Sequence, residues 1–99
     1  MKTHAIILES QGGPEVMQLK TIDIAEPSDG EILIEQTAIG LNYMDVYQRS
    51  GYYKMQTPMH LGLEAAGTVI KLGSGVTHLN VGDRVCYGPN LGAYAKHRL

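Results

Sequence analysis

The sequence predicts a mainly β domain, a barrel or sandwich of short strands, with one short helix. Three observations predict it. Glycine and proline cut the 99 residues into short runs, most of them apolar at their centres. Several of those runs alternate with the period of two that suits a strand. Only over residues 43–50 does the spacing change to that of a helix.

Residues 2–9 are strand-like, with Ala5-Ile6-Ile7-Leu8 at their centre. Gln11-Gly12-Gly13-Pro14-Glu15 is a turn, because glycine accepts positive φ. Residues 16–24 form a second run, with Met17 and Leu19 on one face and Lys20 opposite. Pro27-Ser28-Asp29-Gly30 is a strong turn. Residues 31–40 are the clearest strand: Ile32, Ile34 and Ala38 alternate against Leu33, Glu35 and Thr37. Tyr43, Val46 and Tyr47 then fall at i, i+3 and i+4, which predicts the helix. Asn42 is a good N-cap, Asp45 places negative charge in the first turn, and Gly51 can end the helix. Residues 54–61 read as a loop around Pro58, and residues 64–72 as another strand. Gly73-Ser74-Gly75 turns the chain, and Gly82-Asp83 turns it again into Arg84-Val85-Cys86-Tyr87. A last strand starts at Gly92 and runs to Leu99.

Composition excludes several classes. A formal charge of −2 leaves no basic patch, which argues against nucleic acid. The run Ala5-Ile6-Ile7-Leu8 is too short for a signal-peptide core or a membrane span. The single cysteine, Cys86, allows no intramolecular disulfide and fits a reducing cytoplasm. Within its strand it reads as a small buried apolar residue. His4, His60, His78 and His97 lack metal-ligand spacing and read as lone surface histidines. With no Phe or Trp, the six tyrosines supply all the aromatic surface, and each hydroxyl seeks a partner when buried.

Several pieces follow one another along the chain: Gly12-Gly13-Pro14-Glu15-Val16, Ala38-Ile39-Gly40-Leu41-Asn42, Asp45-Val46-Tyr47-Gln48-Arg49-Ser50-Gly51, Glu64-Ala65-Ala66-Gly67-Thr68-Val69, Gly73-Ser74-Gly75-Val76, Val81-Gly82-Asp83-Arg84-Val85 and Gly92-Ala93-Tyr94-Ala95. With them the chain resembles the N-terminal, GroES-like domain of the quinone oxidoreductases. These are the ζ-crystallin-like, zinc-independent branch of the medium-chain dehydrogenase/reductase superfamily. The zinc alcohol dehydrogenases of that superfamily have a cysteine ligand where this chain has Asn42, and a histidine where it has Leu63. Leucine cannot bind zinc and a neutral amide is a poor ligand, so no metal is expected.

The resemblance implies a GroES-like, partly open β-barrel. It also implies an NADPH-dependent enzyme that transfers hydride to a quinone or a related electrophilic carbonyl. The Rossmann domain that would carry most of the cofactor lies outside these residues. Residues 1–99 are therefore expected to be the substrate-side domain, incomplete at its C-terminal end and inactive alone. Partners implied are that Rossmann domain, in cis or trans, a small quinone, and a second copy docked through exposed apolar surface. By the same resemblance Asn42, Asp45 and Tyr47 lie at the nicotinamide. Tyr53 lines the substrate mouth as the candidate catalytic residue, able to stack on a quinone and to donate a proton or hydrogen bond to the reduced oxygen.

Each of these residues has a bland alternative. An N-cap explains Asn42. The helix dipole explains Asp45, and that reading is slightly favoured. Core packing explains Tyr43 or Tyr47, and loop packing explains Tyr53. Glu64 either pairs with a buried cation or starts a strand, and the sequence does not choose. Gly73-Ser74-Gly75 lacks the third glycine of a phosphate loop and reads as a hairpin turn. The competing functions are an enoyl-thioester reductase of the same superfamily and a stand-alone interaction module.

Overall fold

The computed structural model describes residues 1–99, and strands dominate it as predicted. Strand β1 (Lys2–Leu8) is the centre of a three-stranded sheet. It pairs antiparallel with β2 (Gln18–Asp23) on one edge, from Lys2↔Asp23 to Ile7↔Gln18. On its other edge it pairs with the two-residue β4 (Met59–His60), inside the stretch expected to be loop. The second sheet has the order β6-β5-β3-β7. It comprises β3 (Ile32–Ile39), β5 (Ala65–Leu72), β6 (Arg84–Tyr87) and β7 (His97–Arg98).

The sheets meet along residues 93–96. Ala5 bridges Ala95, the Ile6 N–H donates to the Tyr94 carbonyl at 2.8 Å, and the Lys96 N–H to the His4 carbonyl at 2.9 Å. On the other side, the Gln36 N–H donates to the Lys96 carbonyl at 2.8 Å. This segment continues the hydrogen bonding from β1 to β3 without closing the barrel. It also shortens the last strand, expected from Gly92 onward, to His97–Arg98.

Strand β3 departs from simple alternation. Its pairing with β5 shifts between Leu33 and Ile34 and again between Gln36 and Ala38. A bulge rotates successive side chains toward one face, so Leu33 and Ile34 are both buried while Ala38 is exposed. The same strand buries Gln36. Its Nε2 donates to the Ala93 carbonyl at 2.9 Å and to that of Ala95 at 2.6 Å, and its Oε1 accepts from the Tyr87 hydroxyl. Gln36 thus satisfies the carbonyls of the segment that joins the sheets.

Only 17 of 99 residues are buried, so polar ties carry much of the tertiary order. One apolar cluster joins Ala5, Ile7 and Ala95, and another joins Leu8, Met59 and Leu61. Two sequence expectations are corrected here. His97 is buried, its Nδ1 2.8 Å from Thr3 Oγ1 and its Nε2 3.3 Å from Glu35 Oε2. Cys86 is exposed, because β6 is an edge strand whose burial alternates and its cysteine falls on the open face.

Candidate active site

Helix α1 (Tyr43–Ser50) has the predicted bounds. Asn42 precedes it in extended conformation, and Gly51 follows in the left-handed region at φ 93°, where a side chain would be strained. The one fully buried residue of this helix is a carboxylate, Asp45. Its Oδ2 accepts the Asn42 N–H at 3.0 Å and the Tyr94 hydroxyl. Its Oδ1 is buried with no protein donor, and so is Oε1 of Gln48. The dipole argument thus captures only part of Asp45, which ties the helix start to the segment joining the sheets. Burial raises the Tyr94 phenol above its ordinary range, and the hydrogen bond and charge of Asp45 raise it further. Tyr94 therefore remains a donor at neutral pH.

Asn42 is the N-cap, and its side chain and that of Asp45 are placed as a capping box, although the Asn42 amide oxygen makes no hydrogen bond of full geometry there. The Asp45 N–H instead donates to the Asn42 carbonyl at 3.0 Å. The side-chain Nδ2 turns to Glu64, 3.3 Å from Oε2. Glu64 is exposed immediately before β5, and its carboxylate faces the Asn42 amide rather than a buried cation. Leu63 is half-buried beside it. Nowhere do three His, Cys, Asp or Glu side chains converge as a metal site would need.

The tyrosines form one exposed cluster around Tyr47. Its ring centroid lies 5.2 Å from Tyr43, 4.9 Å from Tyr52 and 5.9 Å from Tyr53. Tyr43 and Tyr52 are each 72% exposed and Tyr53 47%, so none of the three is core. Gln11, read from the sequence only as part of a turn, moors this cluster. Its Nε2 donates to the carbonyls of Gln48 and Tyr53, each at 2.7 Å, and its Oε1 accepts the Met55 N–H at 3.3 Å. Arg49 and Gly12 exchange two further bonds, at 2.6 and 2.8 Å. The glycine turn thereby clamps the C-terminal end of α1.

The structure therefore gathers the four sequence candidates on and around one helix. Asn42 and Asp45 meet at its start, and Tyr47, on the helix, meets Tyr53, beyond its end, edge-on. Leu41, 81% exposed, leads from Asn42 into an open, largely apolar groove of about 560 Å³ that also runs past Leu19, Ile39 and Tyr94. Tyr94, Gln11 and Glu64 are the residues whose parts sequence reasoning missed. Only Tyr94 carried a signal, as a phenol in an otherwise small-residue motif, which needs a partner if buried.

Such a fold, with a helix start braced by Asp45 and a cluster of phenols around that helix, is that of the medium-chain dehydrogenase/reductase class. The alcohol dehydrogenase GroES-like domain profile matches residues 28–98. A quinone oxidoreductase of Salmonella typhimurium is 50% identical over 92 residues, covering 91% of this chain and 28% of the relative. The crystal structure of Escherichia coli quinone oxidoreductase complexed with NADPH superposes with a TM-score of 0.90 at 46% identity, over 96% of this chain and 30% of that one. A Burkholderia 2-haloacrylate reductase is 37% identical, covering 96% of this chain and 30% of the relative. The chain belongs to the alcohol dehydrogenase GroES-like domain family. It spans less than a third of the length of these relatives.

Proposed function

We propose that this chain is the substrate-side domain of an NADPH-dependent, zinc-independent reductase acting on quinones and related electron-poor carbonyls. The observation that carries the reading is the pairing of a braced amide, Asn42, with a surface cluster of phenols centred on Tyr47. The 50% identical quinone oxidoreductase and the NADPH complex of a similar protein support it.

The residues present fit the nicotinamide end of such a cofactor. The Asn42 amide oxygen, turned toward the helix start, keeps a lone pair with which to accept, and the Tyr43 and Tyr47 rings that follow it in α1 offer flat surfaces on which a heterocycle or quinone can stack. When bound, the cofactor would supply the hydride. The chain's own part is alignment and polarity. Asn42, held through its N–H by Asp45, would orient the nicotinamide end. Tyr47 would stack beside it. The Tyr53 hydroxyl, exposed on a loop moored by Gln11, would donate a hydrogen bond to the substrate oxygen as charge develops there. Asp45 is too buried to be a contact group, so its place is behind Asn42. The exposed apolar residues Leu41, Tyr43 and Val46 suit a surface covered by a cofactor-carrying domain or a second copy.

The similarity to a 2-haloacrylate reductase favours a second reading, reduction of an electron-poor alkene such as an enoyl thioester. Side-by-side NADPH oxidation by the full-length protein with 1,4-benzoquinone and with a 2-enoyl-CoA separates the two. A higher kcat/KM with the quinone is expected. A preference for the thioester would replace the first reading by the second.

A further inference from the structure

Glu64 is the charged group hydrogen-bonded to the Asn42 side chain, and it lies against Gly40 and Gly88. A Cβ on Gly40 would lie 2.5 Å from Glu64 Cγ and 2.7 Å from its Cδ, and one on Gly88 would lie 3.2 Å from Glu64 Cβ. Neither glycine has positive φ, so at Gly40 it is space rather than backbone freedom that calls for glycine, while at Gly88 a side chain would make a tight contact. The Gly40 N–H also donates to the Glu64 carbonyl at 3.1 Å, fixing the backbone from which the side chain springs. An exposed glutamate ordinarily samples many rotamers. This one is laid across Gly40 with its carboxylate 3.3 Å from Asn42 Nδ2.

An ionised carboxylate only accepts hydrogen bonds, so the Asn42 atom facing it must be the amide nitrogen. The amide oxygen then lies on the side of the Asp45 N–H, where the partial positive charge of the helix start favours it. Carboxylate and helix end thus impose the same orientation on one amide.

We propose that Glu64 is a positioning residue: seated between Gly40 and Gly88, it locks the orientation of the Asn42 amide, and through it the polarity with which the site meets its ligand. The ligand's identity as a nicotinamide nucleotide rests on the function proposed above; the locking does not.

The test is made on the full-length protein. Without cofactor, NMR of protein labelled with ¹⁵N-asparagine follows the Asn42 side-chain amide, assigned by its loss in Asn42→Asp. In Glu64→Leu and Gly40→Ala this amide moves to the shifts of solvated asparagine. In Glu64→Gln, whose carbonyl still accepts, it stays near wild type. The Gly40→Ala clash is chiefly with the flexible Glu64 side chain, so the fold persists, and an unchanged melting temperature checks this. NADPH titration then finds Kd raised about tenfold in Glu64→Leu and Gly40→Ala, and within about threefold of wild type in Glu64→Gln. Asn42 resonances identical in wild type and Glu64→Leu overturn the proposal. So does an amide that is freed while Kd is unchanged. Wild-type protein that shows the locked amide but binds no NADPH would instead strike the nicotinamide reading and leave the lock standing.

Discussion

The Tyr94 hydroxyl donates to the buried carboxylate of Asp45, 49 residues away. This bond joins the start of α1 to the segment that joins the two sheets, and Asn42 hangs from the same oxygen. Removing the hydroxyl leaves a buried acceptor with one donor fewer. Tyr94→Phe is expected to lower stability by about 1–3 kcal/mol, read by urea denaturation. A loss below experimental error would mean the bond contributes nothing.

The same pair predicts a pH dependence. The Tyr94 phenol has a folded pKa raised above its unfolded value, by burial first and by Asp45 second. Its contribution is therefore complete below the ordinary phenol value of about 10 and is lost as pH climbs through the raised one. Wild type should lose more stability than Tyr94→Phe between neutral pH and the alkaline range. Parallel stability curves for the two proteins would contradict this.

Gln36 supports the junction of the sheets with three hydrogen bonds, two of them to carbonyls of residues 93 and 95. Gln36→Leu has nearly the same volume and no polar atoms, so it strands those carbonyls and the Tyr87 hydroxyl. A loss of about 2–4 kcal/mol is expected, larger than for Tyr94→Phe. Hydrogen exchange should quicken first at the Ile6 and Lys96 amides, which span the junction. Uniform loss of protection across the domain would argue that the junction is no weak point.

Gln11→Ala releases three bonds that hold residues 48–55 in place. Under the proposed function this raises KM for a quinone by about threefold to tenfold, with kcat changed less, because Tyr53 is mispositioned rather than removed. Faster exchange of the Met55 amide with β1 unchanged would mark the effect as local. An unchanged KM would separate the tyrosine cluster from substrate binding.

How much of this was legible follows from how far apart the partners lie. Helix α1 was legible to its bounds because its signals are local: tyrosine spacing, an N-cap asparagine, a terminal glycine. The turns at Gly30, Gly75 and Gly82 were legible for the same reason, each glycine taking positive φ. The alternation of β3 failed because bulges depend on the partner strand. His97 was misjudged because Thr3 and Glu35, 94 and 62 residues away, allow its burial. Cys86 was misjudged because nothing in Arg84-Val85-Cys86-Tyr87 marks that strand as an edge. The candidate site residues were reached by resemblance, but the contacts that brace them, from Tyr94 and Glu64, span 49 and 22 residues.

The central claim is that Asn42 and Tyr53 face a nicotinamide cofactor and a quinone. Steady-state NADPH oxidation by the full-length protein with 1,4-benzoquinone, in wild type, Asn42→Ala and Tyr53→Phe, tests it most directly. The account predicts quinone-dependent oxidation that falls about tenfold or more in each variant while the melting temperature holds. Absence of quinone-dependent oxidation, or wild-type rates in both variants, would contradict it.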